Sequence, residues 1–523
     1  ERLDDGARAY RCAMWPVIVL LAGPVLAGLL SLVIQRPRLL HAVNFTTMLA
    51  LALAETFLTG QVLAEGSVTT LGTLVYVDAL SDFILIIITT IGLSCSLYMW
   101  SYMDEQVARG VIAPKHLGVF FFLFHMFLFA MVAATMANSL GVQWVAVEGT
   151  TLATTFLIAF FRRRESLEAG WKYLILCSVG IALALFGVVL TYYSSVRVLG
   201  DASSALNVTA LIGVADRLDP NVLKLAFLFI LVGYGTKVGL VPMHTWLPDA
   251  YTEAPAPVAA MLAGVLETVA VYTVLRSKAL VDQTLPPQFT GNLLLTFGFV
   301  SFVVASLFIL LQHNYKRLFA YSSIEHMGLA MVGFGVGGLV GTFGGLFHLL
   351  NHALAKALAF FAAGNIHRRY DSLEIDQVRG LARSQPITAV ATLVAGFALV
   401  GLPPFSPFVS ELLVVSALSA QNFASDTMHV GRFVAVTVSD EMRSLGLVGV
   451  FLFFGVVLFG GMMARIGAMV WGAPQDKITR GEAWTVGHVP VLAMIVALLV
   501  LSVMIPESLR TLVTRAVHVI VVR

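Results

Sequence analysis

Residues 224–250 read KLAFLFILVGYGTKVGLVPMHTWLPDA. The first half is an apolar run of the kind that crosses a bilayer, and then it fails as a helix. Gly233, Gly235 and Gly239 loosen it, Pro242 removes a backbone donor and clashes with the preceding turn, and Lys237 sits at the failure. Apolar runs of about 20 residues, each long enough to span a membrane, recur along the whole chain, so this break lies at membrane depth. Backbone freed there is tolerated only where protein buries it or it lines a wet cavity. A second stretch, VAGFALVGLPPFSPFVSELLVV at 394–415, breaks in the same way around Pro403, Pro404 and Pro407.

Composition agrees. Of 523 residues, 58% are hydrophobic and 12% charged, about half the charge of a soluble domain, and the mean hydropathy is +0.88. A net charge of +2 gives no case for a nucleic-acid partner. Cys12, Cys95 and Cys177 are far apart and show no metal or iron–sulfur spacing. With no glycine-rich nucleotide fingerprint either, no cofactor or bound metal is expected, and any redox chemistry or ATP hydrolysis belongs to another subunit. The chain opens on polar ERLDDGARAYR without Met, and the segment from Ala13 reads as a span, not a signal peptide.

Fourteen spans are predicted, near 13–34, 43–63, 80–102, 117–138, 139–161, 171–194, 222–241, 256–275, 292–311, 324–340, 342–365, 385–419, 445–472 and 488–506. Lys and Arg gather in loops after odd-numbered spans, among them Arg36, Arg109, Arg162, Arg368, Arg379, Arg465 and Lys477, roughly a threefold bias. Those loops then face the cytoplasm and both termini face outward from the cell's inner membrane. The breaks fall in spans seven and twelve, five spans apart. Spans four to eight and nine to thirteen thus form two five-helix repeats, each broken at its fourth member. An odd number of spans per repeat inverts the second copy. Paired broken helices point to a transport site near the midplane. The expected fold is an all-α polytopic bundle of about fourteen transmembrane helices with two inverted five-helix repeats. It divides into N-terminal helices (1–116), a first repeat (117–278), a second (279–472) and a last helix with tail (473–523).

A charge at the bilayer centre costs from about 3 to more than 10 kcal/mol, so each one inside a span needs a reason. Glu148 lies in the middle of span five and Lys237 at the break of span seven. Pairing them is the economical arrangement. Such a pair, balanced between burial and mutual attraction, gates a proton when it opens; a static ion pair that fixes packing is the bland alternative. Glu267, in MLAGVLETVAVYTVLR, is a relay, a partner for Lys237, or a packed protonated acid. In HLLNHALAKALAFFAAGN (348–365), His348, His352 and Lys356 recur every four residues and stack on one helix face. Histidine both donates and accepts near neutrality, so the column suits proton hopping. Packing and metal binding are the rivals, the latter weakened by the lack of a nearby third ligand and by Lys356. Glu411 follows the proline break and either ends a relay or caps the half-helix starting near Ser406. Lys224 reads as a snorkelling side chain, His125 as a packed one, the RRRESLEAGWK loop at 162–172 as a topogenic anchor, and Lys316 and Arg317 as loop charges. Glu325 and His326 fall at the mouth of span ten.

The stretches GYGTKVGLVPMHTWLPDAYTEAPAPVAAMLAGV (233–265), WVAVEGTTLAT (144–154), YKRLFAYSSIEHMG (315–328), HLLNHALAKALAFFAAGNI (348–366) and GLPPFSPFVSELL (401–413) together resemble the antiporter-like subunits of respiratory complex I. The same family includes Mrp-type sodium/proton antiporters and the membrane arms of energy-converting hydrogenases. WKYLILCSVGIALALFG and SSIEHMG are most similar to component F of the hydrogenase-4 type. The resemblance implies a proton-path role for Glu148, Lys237, His348, His352, Lys356 and Glu411. One position departs: the family's helix-eight lysine or histidine aligns with Thr268, and Glu267 stands one residue before it. A carboxylate turned by about 100° either substitutes in the relay or marks a path that differs. PESLRTLVTRAVHVIVVR at the end is too short for the lateral helical arm of the longest relatives.

The function so implied is non-catalytic proton translocation within a larger membrane complex. Its partners would be other membrane subunits with NiFe-hydrogenase-like and iron–sulfur proteins. The alternatives are an Mrp-type sodium/proton antiporter subunit, an ion-flow-coupled subunit for inorganic-carbon uptake with a zinc carbonic-anhydrase-like partner, and a membrane anchor without conduction.

Overall fold

The computed structural model describes residues 2–420, 427–430, 434–437, 440–473 and 478–521, with side chains described from Met14 onward and not between 421 and 443. Lys477 and the side chain of Cys12 lie outside that set. The apolar runs fold as long helices: α1 (Met14–Val33), α2 (Pro37–Glu65), α3 (Ala79–Ala108), α4 (Leu117–Met136), α5 (Leu140–Ile158), α6 (Arg164–Leu199), α7 (Pro220–Val238), α8 (Ala256–Val281), α9 (Gln288–Ile309), α10 (Tyr315–Val336), α11 (Gly338–Tyr370), α12 (Pro386–Leu399), α13 (Ser406–Ser419), α14 (Ser444–Trp471), α15 (His488–Val503) and α16 (Glu507–Ile520). Among the described residues, eleven helices are long and apolar enough to cross a membrane, or up to twelve if α15 and α16, bent by 72°, form one span. Helix α10 has 22 residues but is less apolar, and α12 and α13 are short apolar helices separated by a break.

Two small features depart from the all-α expectation. A hairpin, Ser67–Thr70 with Val75–Asp78, pairs antiparallel between α2 and α3, with Val68 opposite Val77. Thr427–Val430 pairs antiparallel with Val434–Thr437. The tail forms α16, which is amphipathic and packs Leu512, Val513, Ala516, Val517 and Ile520 inward.

The central stretches of α8 and α11 are wholly enclosed by other helices, and α10 is nearly so. The outer helices instead present apolar side chains, such as Leu53 and Phe57 on α2 or Phe453 and Val456 on α14, as a lipid-facing surface requires. At the hairpin end, a buried ion pair locks α3 to α8. Arg276 donates to both carboxylate oxygens of Asp78 and to the hydroxyls of Tyr272 and Ser81. In the loop before α15, the Glu482 carboxylate accepts from the backbone N–H and hydroxyl of Thr388 on α12 and meets His488 Nε2 at 3.0 Å.

Both breaks occur where the glycine and proline pattern places them, and each satisfies its freed backbone with side chains. Helix α7 ends at Gly239, whose φ of +84° closes the helix in the left-handed conformation. The Thr236 carbonyl then accepts from Trp246 Nε1 at 2.8 Å, and the Val241 N–H donates to Ser301 Oγ on α9 at 3.0 Å. A short helix, Leu247–Glu253, follows. Its C-terminal carbonyls at Thr252 and Ala254 accept from Lys316 Nζ at 2.6 and 2.8 Å. Lys316 is therefore a buried helix cap, not the loop charge that its sequence position implies. Between α12 and α13 the chain turns at Gly401, and the Leu399 carbonyl at the break accepts from a side chain of α10.

Candidate functional site

That side chain is His326. The sequence places it at the mouth of span ten, because the apolar run begins near residue 324. The helix in fact starts at Tyr315, where Asn314 caps it by accepting from the N–H groups of Lys316 and Arg317. This polar first turn hides the helix from a hydropathy reading. His326 consequently falls mid-helix and fully buried. Its Nε2 lies 3.1 Å from the Leu399 carbonyl, which can only accept, so Nε2 carries the proton and Nδ1 is bare in the neutral ring. Nδ1 lies 2.9 Å from His348 Nε2 on α11. On its other side His348 Nδ1 lies 3.0 Å from Ser410 Oγ on α13.

Ser410 has one hydroxyl proton and two claimants: His348 Nδ1, and the Pro407 carbonyl at 2.8 Å. If the hydroxyl turns to His348, all three groups are neutral and matched. If it turns to Pro407, His348 must donate from Nδ1, and two lone pairs then face each other across the histidine pair until a proton arrives between them. One serine rotor thus sets whether the pair accepts a proton. Asn351 Nδ2 donates to the same Ser410 oxygen at 3.2 Å and to the Ser406 carbonyl at 3.0 Å.

His352 stands one turn along α11, its ring centroid 5.2 Å from that of His326. Its Nε2 faces the Ala263 carbonyl at 3.1 Å and Glu267 Oε2 at 3.2 Å, so this nitrogen too is the protonated one, and Nδ1 is a buried acceptor without a partner among the described residues. Glu267 accepts from Tyr251 OH at 2.5 Å on its other oxygen. Helix α8 reaches this geometry through a widened π turn at Leu262–Leu266, immediately before Glu267. A π turn holds one extra residue, which rotates the rest of the helix by about 100°. Thr268 turns back to the Gly264 carbonyl at 3.0 Å. Gly264 itself abuts the α11 backbone: a Cβ there would lie 3.1 Å from the Ala353 oxygen. Lys356 completes the group, donating to the Phe319 carbonyl at 2.5 Å and to Ser322 Oγ on α10.

Lys237 lies in the last turn of α7, fully buried. It does not form the expected ion pair with Glu148. Its Nζ donates to Thr150 Oγ1 at 2.7 Å and lies 3.4 Å from Tyr173 OH. Among the described residues no carboxylate lies within ion-pair distance of it. Glu148, one helical turn before Thr151 on α5, is half-buried and accepts instead from Thr151 and from Ser178 of α6, both at 3.1 Å. The reason is periodicity: Thr150, not Glu148, stands on the α5 face that is turned toward Lys237. Between the Lys237 and Glu267 groups stands an aromatic wall of Tyr173, Trp246 and Tyr251, with successive ring centroids 4.9 and 6.0 Å apart. Glu411, on α13, is partly exposed, and its carboxylate lies against Gly401 and beside the His326–His348 pair. Glu325, which the sequence places at the interface, is buried, with Oε2 3.6 Å from His326 Nε2.

Of the seven sequence-derived candidates, the structure joins Glu267 and His352 directly and places His348 and Glu411 around His326. Lys237 and Lys356 are held separately by hydroxyls and carbonyls, and Glu148 stands apart from Lys237. His326 and Tyr251 are the residues that sequence reasoning misses. The SSIEHMG motif carries the signal for His326, and only the helix start conceals it.

Residues 137–437 match the NADH:quinone oxidoreductase/Mrp antiporter transmembrane family. A hydrogenase-4 component F homolog from Methylacidiphilum infernorum is 40% identical over 351 residues, covering 67% of this chain and 74% of that protein. Among solved structures, a chain of the membrane-bound sulfane sulfur reductase, an archaeal respiratory membrane complex, superposes with a TM-score of 0.82 at 23% identity, covering 97% of each chain. A chain of the Mrp complex from Dietzia sp. superposes with a TM-score of 0.77 at 20% identity, covering 96% of this chain and 97% of that one.

Proposed function

The chain belongs to the NADH:quinone oxidoreductase/Mrp antiporter transmembrane family, and we propose that it moves protons along the buried polar line as one subunit of a larger membrane complex. The observation that carries this reading is the run of enclosed titratable side chains Glu267, His352, His326 and His348, which meet across α8, α10 and α11 and reach α13 through Ser410 and Glu411. A lipid-facing or purely structural role does not require such residues in the most enclosed helices.

In the proposed cycle a proton enters from the inward face. A cavity of about 270 Å³ lined by Glu165, Glu168, Lys172, Asp249, Glu253 and Arg317 opens beside the short helix after the α7 break. Lys237 takes the proton under control of Glu148, and the transfer from Lys237 to Glu267 passes the Tyr173–Trp246–Tyr251 wall. His352, His326 and His348 hand it on, with Lys356 setting the local field, and Glu411 releases it outward. The π turn that brings Glu267 to His352 supports conduction over the anchor-only reading.

Counting α10, the α12–α13 pair and α15 with the eleven long helices gives fourteen spans. The two broken spans then sit at equivalent places in two inverted five-helix repeats, with both termini outside the inner membrane. Partners are proposed as NiFe-hydrogenase-like and iron–sulfur subunits. Co-purification of a zinc carbonic-anhydrase-like protein would instead favour inorganic-carbon uptake, and sodium-dependent transport would favour the Mrp-type reading. The direct test is proton movement by the assembled complex in vesicles. Lys237→Ala and Glu148→Ala are each expected to abolish it while assembly persists; unchanged pumping in both removes the assignment.

A further inference from the structure

We infer that His326, His348 and Glu411 form a binding site for a divalent transition metal of the zinc class, built across α10, α11 and α13. Each residue offers one ligand atom, and the three atoms lie within 4.8 Å of one another. Two imidazole nitrogens and one carboxylate oxygen form a donor set suited to zinc. Hard cations such as magnesium prefer oxygen throughout. The first objection that the sequence raises to a metal is answered by the fold, because the missing third ligand arrives from α13. The Lys356 ammonium is committed to the Phe319 carbonyl and the Ser322 hydroxyl, one turn of α10 from His326, and the Glu411 carboxylate offsets its charge at the metal position.

The outer shell is what makes this a built site. A ligating histidine is normally oriented by giving its other N–H to a carbonyl or similar acceptor. His326 does so with Nε2 to the Leu399 carbonyl. His348 does so with Nδ1 to Ser410 Oγ when the serine hydroxyl is turned to Pro407. In that state the two inner nitrogens, 2.9 Å apart, both present lone pairs to the same point. With metal–nitrogen bonds of about 2.0–2.1 Å, the separation corresponds to a ligand–metal–ligand angle of roughly 90°, and a small ring rotation opens it to the tetrahedral value. Glu411 makes no hydrogen bond or ion pair among the described residues. Glu325 Oε2, buried and without a hydrogen-bond partner among the described residues, lies 3.6 Å from His326 Nε2, on the side of the ring turned away from the metal position. Glu411 is the one partly exposed ligand and marks the entry side.

Metal at this point occupies the lone pairs that the proposed relay needs, so zinc blocks conduction. That consequence rests on the proton reading; the binding itself does not. The test titrates Zn²⁺ into the chelator-treated full chain in detergent against a competing zinc-sensitive dye, with Mg²⁺ as control and zinc K-edge absorption on the loaded protein. One tight equivalent is expected, with a first shell of nitrogen and oxygen at about 2.0–2.1 Å and no competition from Mg²⁺. His326→Gln and, independently, the partly exposed Glu411→Gln should each weaken it by about tenfold or more while eluting like the wild type. Zinc affinity unchanged in both variants, no tight equivalent in the wild type, or a shell without nitrogen overturns the site. Zinc bound as expected without slowing proton movement in vesicles leaves the site standing and removes the relay.

Discussion

Replacing Lys237 by Met should make the protein more stable and inactive at once. Lys237 is fully buried without a carboxylate at ion-pair distance among the described residues. Taking one ion out of water costs several kcal/mol even after relaxation. A charged hydrogen bond to Thr150 returns about 1.5–3 kcal/mol. The 3.4 Å contact with Tyr173 is long, and the ammonium lies 5.7 Å from that ring's centroid, near the outer range of a useful cation–π contact. Methionine fills nearly the same volume. It also orphans nothing, because Thr150 still donates to the Val147 carbonyl and Thr154 still donates to Tyr173. The balance favours Lys237→Met by about 1–3 kcal/mol, in line with other apolar replacements of buried charge. Chemical denaturation of the detergent-solubilised chain, followed by tryptophan fluorescence, reads the stability, and vesicle assays read proton movement. A variant less stable than the wild type by more than about 1 kcal/mol would show that a compensating anion sits on Lys237. A variant that still pumps would show that the charge is not on the path.

Asp78→Asn should cost about 3–5 kcal/mol, because it strands Arg276 as an uncompensated buried charge; an Asp78→Leu, Arg276→Met double variant should recover most of that loss in the same denaturation assay. Gly264→Ala puts a Cβ 3.1 Å from the Ala353 carbonyl oxygen and 3.3 Å from its Cα, both backbone atoms that cannot swing away. The expected cost is about 1–3 kcal/mol, with slower proton movement as Glu267 draws back from His352; wild-type rates with unchanged stability would refute the close contact. Burial raises the Glu482 carboxyl, but hydrogen bonds from His488 and Thr388 outweigh it and hold it below the usual carboxylate range. Its tie to α12 is therefore fully present above that range and lost as pH falls through the lowered value. Hydrogen exchange at Thr388 should accelerate only on that acid side, and Glu482→Gln should remove the pH step.

Much of this fold is legible from hydropathy and from Gly and Pro alone, since lipid leaves the backbone few solutions. The α7 and α12–α13 breaks lie where Gly239, Pro242 and Pro403–Pro407 place them. Register within helices is harder to read. Hydropathy misplaces His326 because the polar first turn of α10, capped by Asn314, does not register as hydrophobic. Charge alone pairs Glu148 with Lys237, whereas helix phase turns Thr150 toward the lysine. The contact of Glu267 with His352 follows a π turn, which leaves no mark that a regular 3.6-residue period can reveal. The histidine column is readable by spacing, but the partner of each ring nitrogen depends on contacts from other helices.

The Leu399 carbonyl, released where α12 gives way to α13, is what keeps the hydrogen on the far nitrogen of His326. A backbone kink and the tautomer of one imidazole are thereby the same variable. Were the Leu399 carbonyl to leave Nε2, the acceptor that fixes this tautomer would be gone, so the shape of the kink governs which nitrogen His326 offers to His348.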